Sequence, residues 1–173
     1  MNRGFTLLEL LITLVVLALL LSWAAPSYQS VTESSKMKRL AAELHGIVLL
    51  GKSQAVLRRE RLWAHVIMPG VSSADGQWKI ELTDNETPGS GDVLQIIDGV
   101  GFRELVVEVG YASNQISFDD VHGRPSSGNI KFHPIARADQ KLKLISHTQS
   151  ARVRVCSDSD NNEIFYGFAL CNE

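Results

Sequence analysis

A carboxylate lies inside an otherwise apolar stretch near the start of this 173-residue sequence. Between Phe5 and Ala25, 17 of 21 residues are hydrophobic, and Glu9 is the only charged residue in that range. A carboxylate in the centre of a membrane costs about 2.5–3.5 kcal/mol, and such a residue usually has a function and a partner. The chemistry that Glu9 predicts is therefore charge pairing with a cation in apolar surroundings.

The other acidic residues and the histidines form no recognisable catalytic centre. The sequence has neither the Gly-x-Ser-x-Gly motif of serine hydrolases nor the His-Glu-x-x-His motif of zinc proteases, and its five histidines are scattered. Asp158–Glu163 places oxygen-bearing side chains at alternate positions, as a calcium loop does, but has glutamate where an EF-hand needs glycine. We expect no enzyme, no cofactor and no metal; residues 158–163 are either a solvated acidic loop or a calcium site.

Charge is distributed unevenly along the rest of the chain, although the formal net charge is only −2. Asp75–Asp120 contains ten acids and two bases, whereas His122–Arg154 contains seven bases and one acid. If the last two basic segments form a β-hairpin, four cations would line one face and would need neutralising anions. The anions are either a phosphate backbone or acidic residues of the head or of a neighbouring subunit. These four cations are Lys141, Lys143, Arg152 and Arg154.

The apolar stretch and the residues after it predict one long helix. Phe5–Ala25 would be about 30 Å long as a helix, which is the thickness of a bilayer core. Apolar residues then recur at three- and four-residue steps, so residues 26–61 are predicted to continue as an amphipathic helix as far as about Arg59. The rival interpretation of the first segment is a secretory signal peptide, with Ser22-Trp23-Ala24 as its cleavage site.

Beyond Arg61 the sequence predicts a head of β-strands, residues 62–173. Short apolar or alternating runs follow one another between turn residues, without intervening helices. This order predicts an antiparallel sheet or sandwich, and hence an α+β fold. The predicted strands are Leu62–Met68, Gln77–Leu82, Asp92–Ile97, Leu105–Val109, Gln115–Phe118, Asn129–His133, Lys141–Ser146, Arg152–Cys156 and Glu163–Ala169.

The first residues resemble a known leader. The segment Arg3-Gly4-Phe5-Thr6-Leu7-Leu8-Glu9 is similar to the class III leader of type IV pilins and type II secretion pseudopilins, and Pro26 matches a proline in the helix of those families. In the head, Ala42–Leu44, Lys52–Val56 and Gly123–Gly128 resemble the GspH/FimT group of minor pilins and pseudopilins. The resemblance extends over most of the chain and is most specific at the N-terminus.

The resemblance implies a processing and assembly pathway. Residues 1–4 would be a leader, and prepilin peptidase would cut after Gly4 and methylate the new N-terminal Phe5. Glu9 would then pair with that amine on a neighbouring subunit, and Pro26 would kink the helix because it removes a helical hydrogen bond. The implied partners are prepilin peptidase, other pilins and the bacterial inner membrane. The protein would cross that membrane once, with its head in the periplasm, before it enters a pilus or pseudopilus.

The resemblance also bears on the C-terminal region. Cys156 and Cys171 are the only cysteines, and an even pair outside the cytoplasm predicts a disulfide, which is common in type IV pilus subunits; two buried thiols are the alternative. FimT-type minor pilins of natural transformation carry a Gly-Arg-x-Arg element implicated in DNA binding. It is similar to Ala151-Arg152-Val153-Arg154 here, where the glycine is absent. This likeness implies double-stranded DNA as a further partner.

We therefore interpret the chain as a minor pilin that helps to initiate or cap a type IV pilus, with DNA binding during uptake as an additional expectation. One alternative is a minor, GspH-like pseudopilin of a type II secretion system. An alternative of another class is a secreted periplasmic binding protein with an ordinary signal peptide.

Overall fold

The computed structural model describes residues 6–172, without the side chains of residues 23–29. A long helix, α1, covers Leu7–Arg58, and nine strands follow it in the described part of the chain. The strands are β1 (Leu62–Ile67), β2 (Ser72–Ser73), β3 (Lys79–Thr83), β4 (Val93–Asp98), β5 (Leu105–Val109), β6 (Gln115–Phe118), β7 (Gly128–Pro134), β8 (Leu142–His147) and β9 (Arg152–Ser157).

The strands form two antiparallel sheets. The four-stranded sheet has the order β4-β3-β1-β6, and the five-stranded sheet has the order β2-β5-β7-β8-β9. The longer outer strand is β4 in the first sheet and β9 in the second. The predicted α+β class and the antiparallel head are confirmed, and eight of the nine predicted strands are present within a few residues of their predicted bounds.

The ninth predicted strand is wrong. Glu163–Ala169 forms turns and irregular backbone, and only Leu170 makes an isolated bridge, to Ser157. The Ser157 hydroxyl accepts the Phe165 N–H at 2.9 Å and donates to the Phe168 carbonyl at 2.7 Å. A single side chain thus satisfies backbone groups that a neighbouring strand would otherwise bind.

The chain divides between Ser35 and Lys36 into two compact units, and the second unit contains the end of α1 and both sheets. Within this unit the predicted apolar stripe of the helix is buried in the core, where each large side chain contributes about 1.5–3 kcal/mol. Polar residues of the helix also contact the head. Lys36 forms an ion pair with Glu104 at 2.7 Å, and the Arg39 guanidinium lies 4.6 Å from the centre of the Phe102 ring. The buried stripe comprises Met37, Leu40, Ala41, Leu44, Ile47, Val48 and Ala55.

Helix α1 ends where the sequence predicts. Arg59 has a left-handed backbone with φ +54°. The N–H of Arg59 donates to the carbonyl of Val56 at 3.3 Å, and the N–H of Glu60 donates to the carbonyl of Ala55 at 3.2 Å. These two bonds form a Schellman cap, which satisfies the last helical carbonyls before the chain enters β1.

Candidate functional site

The first functional segment is the apolar front of α1. Leu7–Ser22 is an apolar helix about 24 Å long. Every side chain in it is exposed, and Leu7 is 83% exposed. A continuous apolar surface of this size is stable only against lipid or against other apolar helices. Such an apolar surface is typical of a segment that lies in lipid or packs against other apolar helices.

A second stretch of α1, Ser30–Arg58, also has the length and mean hydropathy (1.2) of a membrane span. Part of its apolar residues, among them Leu40, Leu44 and Val48, are buried in the head, whereas Leu49, Val56 and Leu57 are exposed. Burial in the head therefore accounts for part of the hydropathy of this stretch.

Glu9 lies in the first turn of α1. Thr6 Oγ1 accepts the backbone N–H of Glu9 at 3.3 Å, as the N-cap residue of a helix does. Thr-x-x-Glu is the spacing of a capping box, and a carboxylate in the first turn is stabilised by the helix dipole. This local role is not among those predicted above, although the spacing of Thr6 and Glu9 signals it. The Glu9 carboxylate has no ion pair among the described residues.

Three of the predicted site residues are not tested by the geometry. Gly4 and Phe5 lie outside the described residues, so cleavage and methylation there stay predictions. Pro26 lies within the bounds of α1, in the stretch whose side chains are not described. The kink at Pro26 also stays a prediction.

The second candidate site is the predicted basic hairpin, which β8 and β9 form. Ile145 lies opposite Arg154, His147 lies opposite Arg152, and Lys143 lies opposite Cys156. Directly opposed residues of antiparallel strands point to the same face. The hairpin and the shared face of Lys143, Arg152 and Arg154 are confirmed. Lys141 continues the alternation of β8, since its carbonyl accepts the N–H of Asp158 at 2.9 Å.

One acidic residue of the head neutralises part of this face. Asp158 lies 3.2 Å from the ammonium of Lys131 and 3.6 Å from that of Lys143. Lys131 and Lys143 are directly opposed on β7 and β8, where like charges repel. Asp158 therefore bridges two lysines that would otherwise destabilise the sheet. For Lys143, the neutralising anion is therefore an acidic residue of the head, which was one of the two alternatives that the sequence left open.

The two arginines of the hairpin have different surroundings. The guanidinium of Arg154 donates to the carbonyl of Cys171. Cys171 is held next to β9 by a disulfide to Cys156, with the two Cα atoms 4.9 Å apart, so the predicted disulfide is present. Arg152 is exposed, and its side chain makes no hydrogen bond or ion pair within the described residues. Arg152 is the cation of this face that is most available to a partner.

Ala151 occupies the position of the glycine in the Gly-Arg-x-Arg element. Its backbone is left-handed, with φ +52°, which is the conformation that glycine adopts most easily. Its carbonyl accepts the ammonium of Lys52, on α1, at 2.6 Å. The turn before Arg152 thus has a left-handed residue without a glycine, and Lys52 anchors that turn to the helix.

The loop after β6 is also fixed to α1. The carboxylate of Asp119 accepts the backbone N–H groups of His122, Arg124 and Val121 at 2.7, 2.9 and 2.9 Å. These N–H groups, that of His122 first, hold the pKa of Asp119 below its usual value. Gly123, at the tip of the loop, has φ +62° and lies so close to α1 that an added Cβ would be 2.4 Å from the carbonyl oxygen of Lys52.

Comparison with known proteins agrees with this geometry. Residues 1–25 match the prokaryotic N-terminal methylation motif. A fimbrial protein of Pseudomonas aeruginosa is 29% identical over 115 residues, which are 65% of this chain and 71% of that protein. The type IV minor pilin FimU of Pseudomonas aeruginosa has a similar structure, with a TM-score of 0.57 and 17% identity, covering 72% of this chain and 90% of FimU. The chain carries a prepilin-type N-terminal motif and has a pilin-like fold.

The pilin-like chain also shares its fold with a secretion protein. The minor pseudopilin EpsH, from the type 2 secretion system of Vibrio cholerae, matches with a TM-score of 0.50 and 12% identity over 69% of this chain and 95% of EpsH. Minor pilins and minor pseudopilins thus have this fold in common, and the fold does not separate them. The relatives are structural proteins and not enzymes, as the sequence predicts.

One sequence pattern that is typical of phosphate-binding loops does not form such a loop in this pilin-like protein. Gly46–Ser53 has the spacing Gly-x-x-x-x-Gly-Lys-Ser of phosphate-binding loops. Such a loop lies between a strand and a helix and presents free backbone N–H groups, whereas all eight residues here lie inside α1. The lysine of the pattern is Lys52, whose ammonium already binds the carbonyl of Ala151.

The calcium alternative for residues 158–163 does not fit the pilin-like head. The Asp158 carboxylate faces two lysine ammonium groups, which would repel a cation from it. Ser159 Oγ accepts the N–H groups of Asn161 and Glu163 at 3.3 and 3.1 Å, so local hydrogen bonds shape the loop. In the range 6–172, no three His, Cys, Asp or Glu side chains come together as metal ligands would.

Proposed function

We propose that this chain is a minor subunit of a type IV pilus. Prepilin peptidase cleaves it between Gly4 and Phe5, and Phe5–Ala25 holds it in the inner membrane, with the head in the periplasm, until assembly. The observation that carries the proposal is the exposed apolar helix Leu7–Ser22, which lies within the matched methylation motif and precedes a head of similar fold to a minor pilin. A secreted binding protein would lose this helix with its signal peptide.

In this proposal the apolar front of α1 enters the core of the filament. Glu9 then pairs with the α-amine of Phe5 on the neighbouring subunit, which offsets the desolvation of both charges. We favour a pilus over a secretion pseudopilus because the curated relative is a fimbrial protein. As a minor subunit the chain would initiate or cap the pilus, so its deletion should reduce the number of surface pili and leave protein secretion intact.

Substitutions at Glu9 test the proposal and separate its two possible roles. Glutamine can serve in a capping box as well as glutamate does, but it cannot pair as an anion. Glu9→Gln should therefore reduce the amount of this subunit in sheared filaments by more than about tenfold, since an uncompensated buried charge costs about 3–5 kcal/mol. Glu9→Asp keeps the charge and should restore part of the incorporation. Equal incorporation of Glu9→Gln and the wild type would contradict the proposed charge pair.

DNA binding is a second candidate function, supported by the hairpin. Ala151, at the position of the glycine in the Gly-Arg-x-Arg element, has the left-handed backbone that glycine adopts most easily, and Arg152 next to it is exposed. Duplex DNA should bind the purified protein with an affinity that falls as salt rises, because phosphate contacts release counterions. Replacing Arg152 and Lys141 by alanine should flatten that salt dependence. Binding that is unchanged in the double variant would refute this site.

A further inference from the structure

A cavity of about 530 Å³ lies at one end of the four-stranded sheet. Ile67, Lys79 and Asp98 lie side by side on β1, β3 and β4 and form part of its lining. The loop that leads into β3 and the segment that follows β4 supply the rest. The volume is within the range of small-molecule sites, about 300–1,000 Å³. Neither of the functions proposed above uses this cavity.

The backbone holds the wall of the cavity in place. Gly76 and Gly99 approach so closely that a Cβ added at Gly99 would be 2.7 Å from the carbonyl oxygen of Gly76 and 2.7 Å from the Trp78 ring. The N–H of Gly99 donates to the carbonyl of Trp78 at 2.8 Å. The Trp78 ring in turn stacks on Phe102, with 5.9 Å between the ring centres. The wall is therefore fixed before any ligand enters, which lowers the cost of binding.

Trp78 brings an unused donor to this wall. Trp78 is only 3% exposed, and its indole N–H has no hydrogen-bond partner among the described side chains and backbone groups. A buried N–H group that stays unpaired destabilises a fold, so most such groups are satisfied. An oxygen atom that reaches this N–H from the cavity would satisfy it. The first requirement on a ligand is therefore an acceptor oxygen.

Two carboxylates line the cavity and keep part of their capacity to accept hydrogen bonds. Oδ1 of Asp75 accepts the Ser73 hydroxyl at 2.8 Å and the Gln77 N–H at 3.0 Å. Oδ1 of Asp98 accepts the Val100 N–H at 2.8 Å. These bonds fix both carboxylates through one oxygen atom, so the other oxygen of each can accept from a ligand.

Two cations line the same cavity. The ammonium of Lys79 already lies 2.6 Å from the carboxylate of Glu81. The guanidinium of Arg103 makes no hydrogen bond within the described part of the chain. The stem of Arg103 packs against Gly76, where an added Cβ would be 3.1 Å from Cγ. Arg103 therefore brings N–H donors to the same wall as Trp78.

The mixture of charges restricts the kind of ligand. Asp75 and Asp98 repel an anion, and Arg103 repels a cation, so an uncharged ligand avoids both repulsions. A hydroxyl group both donates and accepts, so neighbouring hydroxyls can bind a carboxylate and a guanidinium at once. The exposed Val100 and the half-buried Met68 offer aliphatic surface to the C–H groups of such a ligand.

We propose that this cavity is a binding site for an uncharged sugar. The sugar hydroxyls donate to Asp75 and Asp98. They accept from Arg103 and from the indole N–H of Trp78. This inference goes beyond the proposed function, because it gives the head a ligand whether or not the chain enters a pilus.

Nuclear magnetic resonance of the full-length protein tests the site. The tryptophans are labelled with nitrogen-15, the detergent has no sugar headgroup, and D-glucose, D-galactose and D-mannose are added in turn. At least one sugar should shift the indole N–H resonance of Trp78, which is assigned with Trp78→Phe. The resonance of Trp63, at the other end of β1 from Ile67, should stay in place. No shift at Trp78, or an equal shift at Trp63, would overturn the proposal.

Charged derivatives of the sugar that binds test why the ligand is uncharged. Its uronate and its 2-amino derivative should both bind more weakly than the neutral sugar. Asp98→Asn keeps an oxygen atom for the Val100 N–H and removes one negative charge, so it should strengthen binding of the uronate by up to about fivefold. A charged derivative that binds the wild type more tightly than the neutral sugar would contradict the proposed selection.

Arg103→Gln tests the contact with the guanidinium. It should weaken binding of the neutral sugar about tenfold, as expected for the loss of a hydrogen bond to a charged group. Arg124→Gln removes another exposed arginine of the head and is the matched control, which should leave the affinity unchanged. Equal affinities of Arg103→Gln and the wild type would show that the sugar does not bind in this cavity. None of these outcomes affects the pilus role, which the Glu9 variants test.

Discussion

Gly123 gives the sharpest test of how the head is fixed to α1. Replacing it by alanine forces a side chain into a left-handed backbone, φ +62°, and puts a Cβ 2.4 Å from the carbonyl oxygen of Lys52. A non-glycine residue in this conformation costs about 1–2 kcal/mol. Overpacking a tight contact costs about 1–3 kcal/mol. The stiffer unfolded chain returns about 0.4–1 kcal/mol, so the free energy of unfolding should fall by about 3 kcal/mol.

Gly89→Ala provides the matched control for this substitution. Gly89 also has a left-handed backbone, φ +75°, but no atom lies within 4 Å of the position that a Cβ would take. Its replacement carries the conformational cost without the clash and should lower the free energy of unfolding by about 1 kcal/mol or less. The difference between the two variants therefore measures the contact between the loop and Lys52.

The measurement is urea unfolding of the full-length protein in detergent, followed by fluorescence of Trp63 and Trp78 in the head. The midpoint should shift with little change in the dependence on urea, because the surface exposed on unfolding is nearly the same. If Gly123→Ala and Gly89→Ala lower the free energy of unfolding by the same amount, the loop does not press against the helix as the structure indicates.

Three further predictions concern the region around the hairpin. Ala151→Gly removes the strain of an alanine in a left-handed backbone and should raise the free energy of unfolding by about 0.5–1 kcal/mol, measured by the same urea titration. A lower free energy of unfolding in this variant would show that Ala151 is not strained. Backbone N–H groups lower the pKa of Asp119 in the folded protein. The ionised carboxylate therefore stabilises the fold at pH values above the pKa of the unfolded chain, about 3.9. This stabilisation is lost as the pH falls through the lower pKa of the folded protein. The stability difference between wild type and Asp119→Asn should thus be constant above about pH 5 and shrink below about pH 4; a difference that does not change with pH would contradict this role of Asp119. Replacing both Cys156 and Cys171 by serine opens a link across a sequence separation of 15 and should lower the free energy of unfolding by about 3 kcal/mol; an unchanged melting temperature would refute this.

The sequence predicts the elements whose pattern is local. The period of the apolar residues from Met37 to Ala55 places the helix stripe, and the alternation in Arg152–Cys156 places both β9 and the face of its arginines. The turn residues between the apolar runs mark the ends of the strands. These signals depend on a few neighbouring residues, so they can be read without knowing the fold.

The features that the sequence does not predict depend on distant residues. Asp158 neutralises Lys131, 27 positions away, only because β7 and β8 pair in one particular register. Glu163–Ala169 has the composition of a strand, but the Ser157 hydroxyl binds its backbone instead.

The mature N-terminus is the most direct test of the proposed pilin processing. Intact-mass and peptide mass spectrometry of the protein recovered from membranes or filaments should show a chain that begins at Phe5 and carries one methyl group on its α-amine. A chain that begins at Ala25 or Pro26 would mean that the apolar helix is a discarded signal peptide, and would contradict the account.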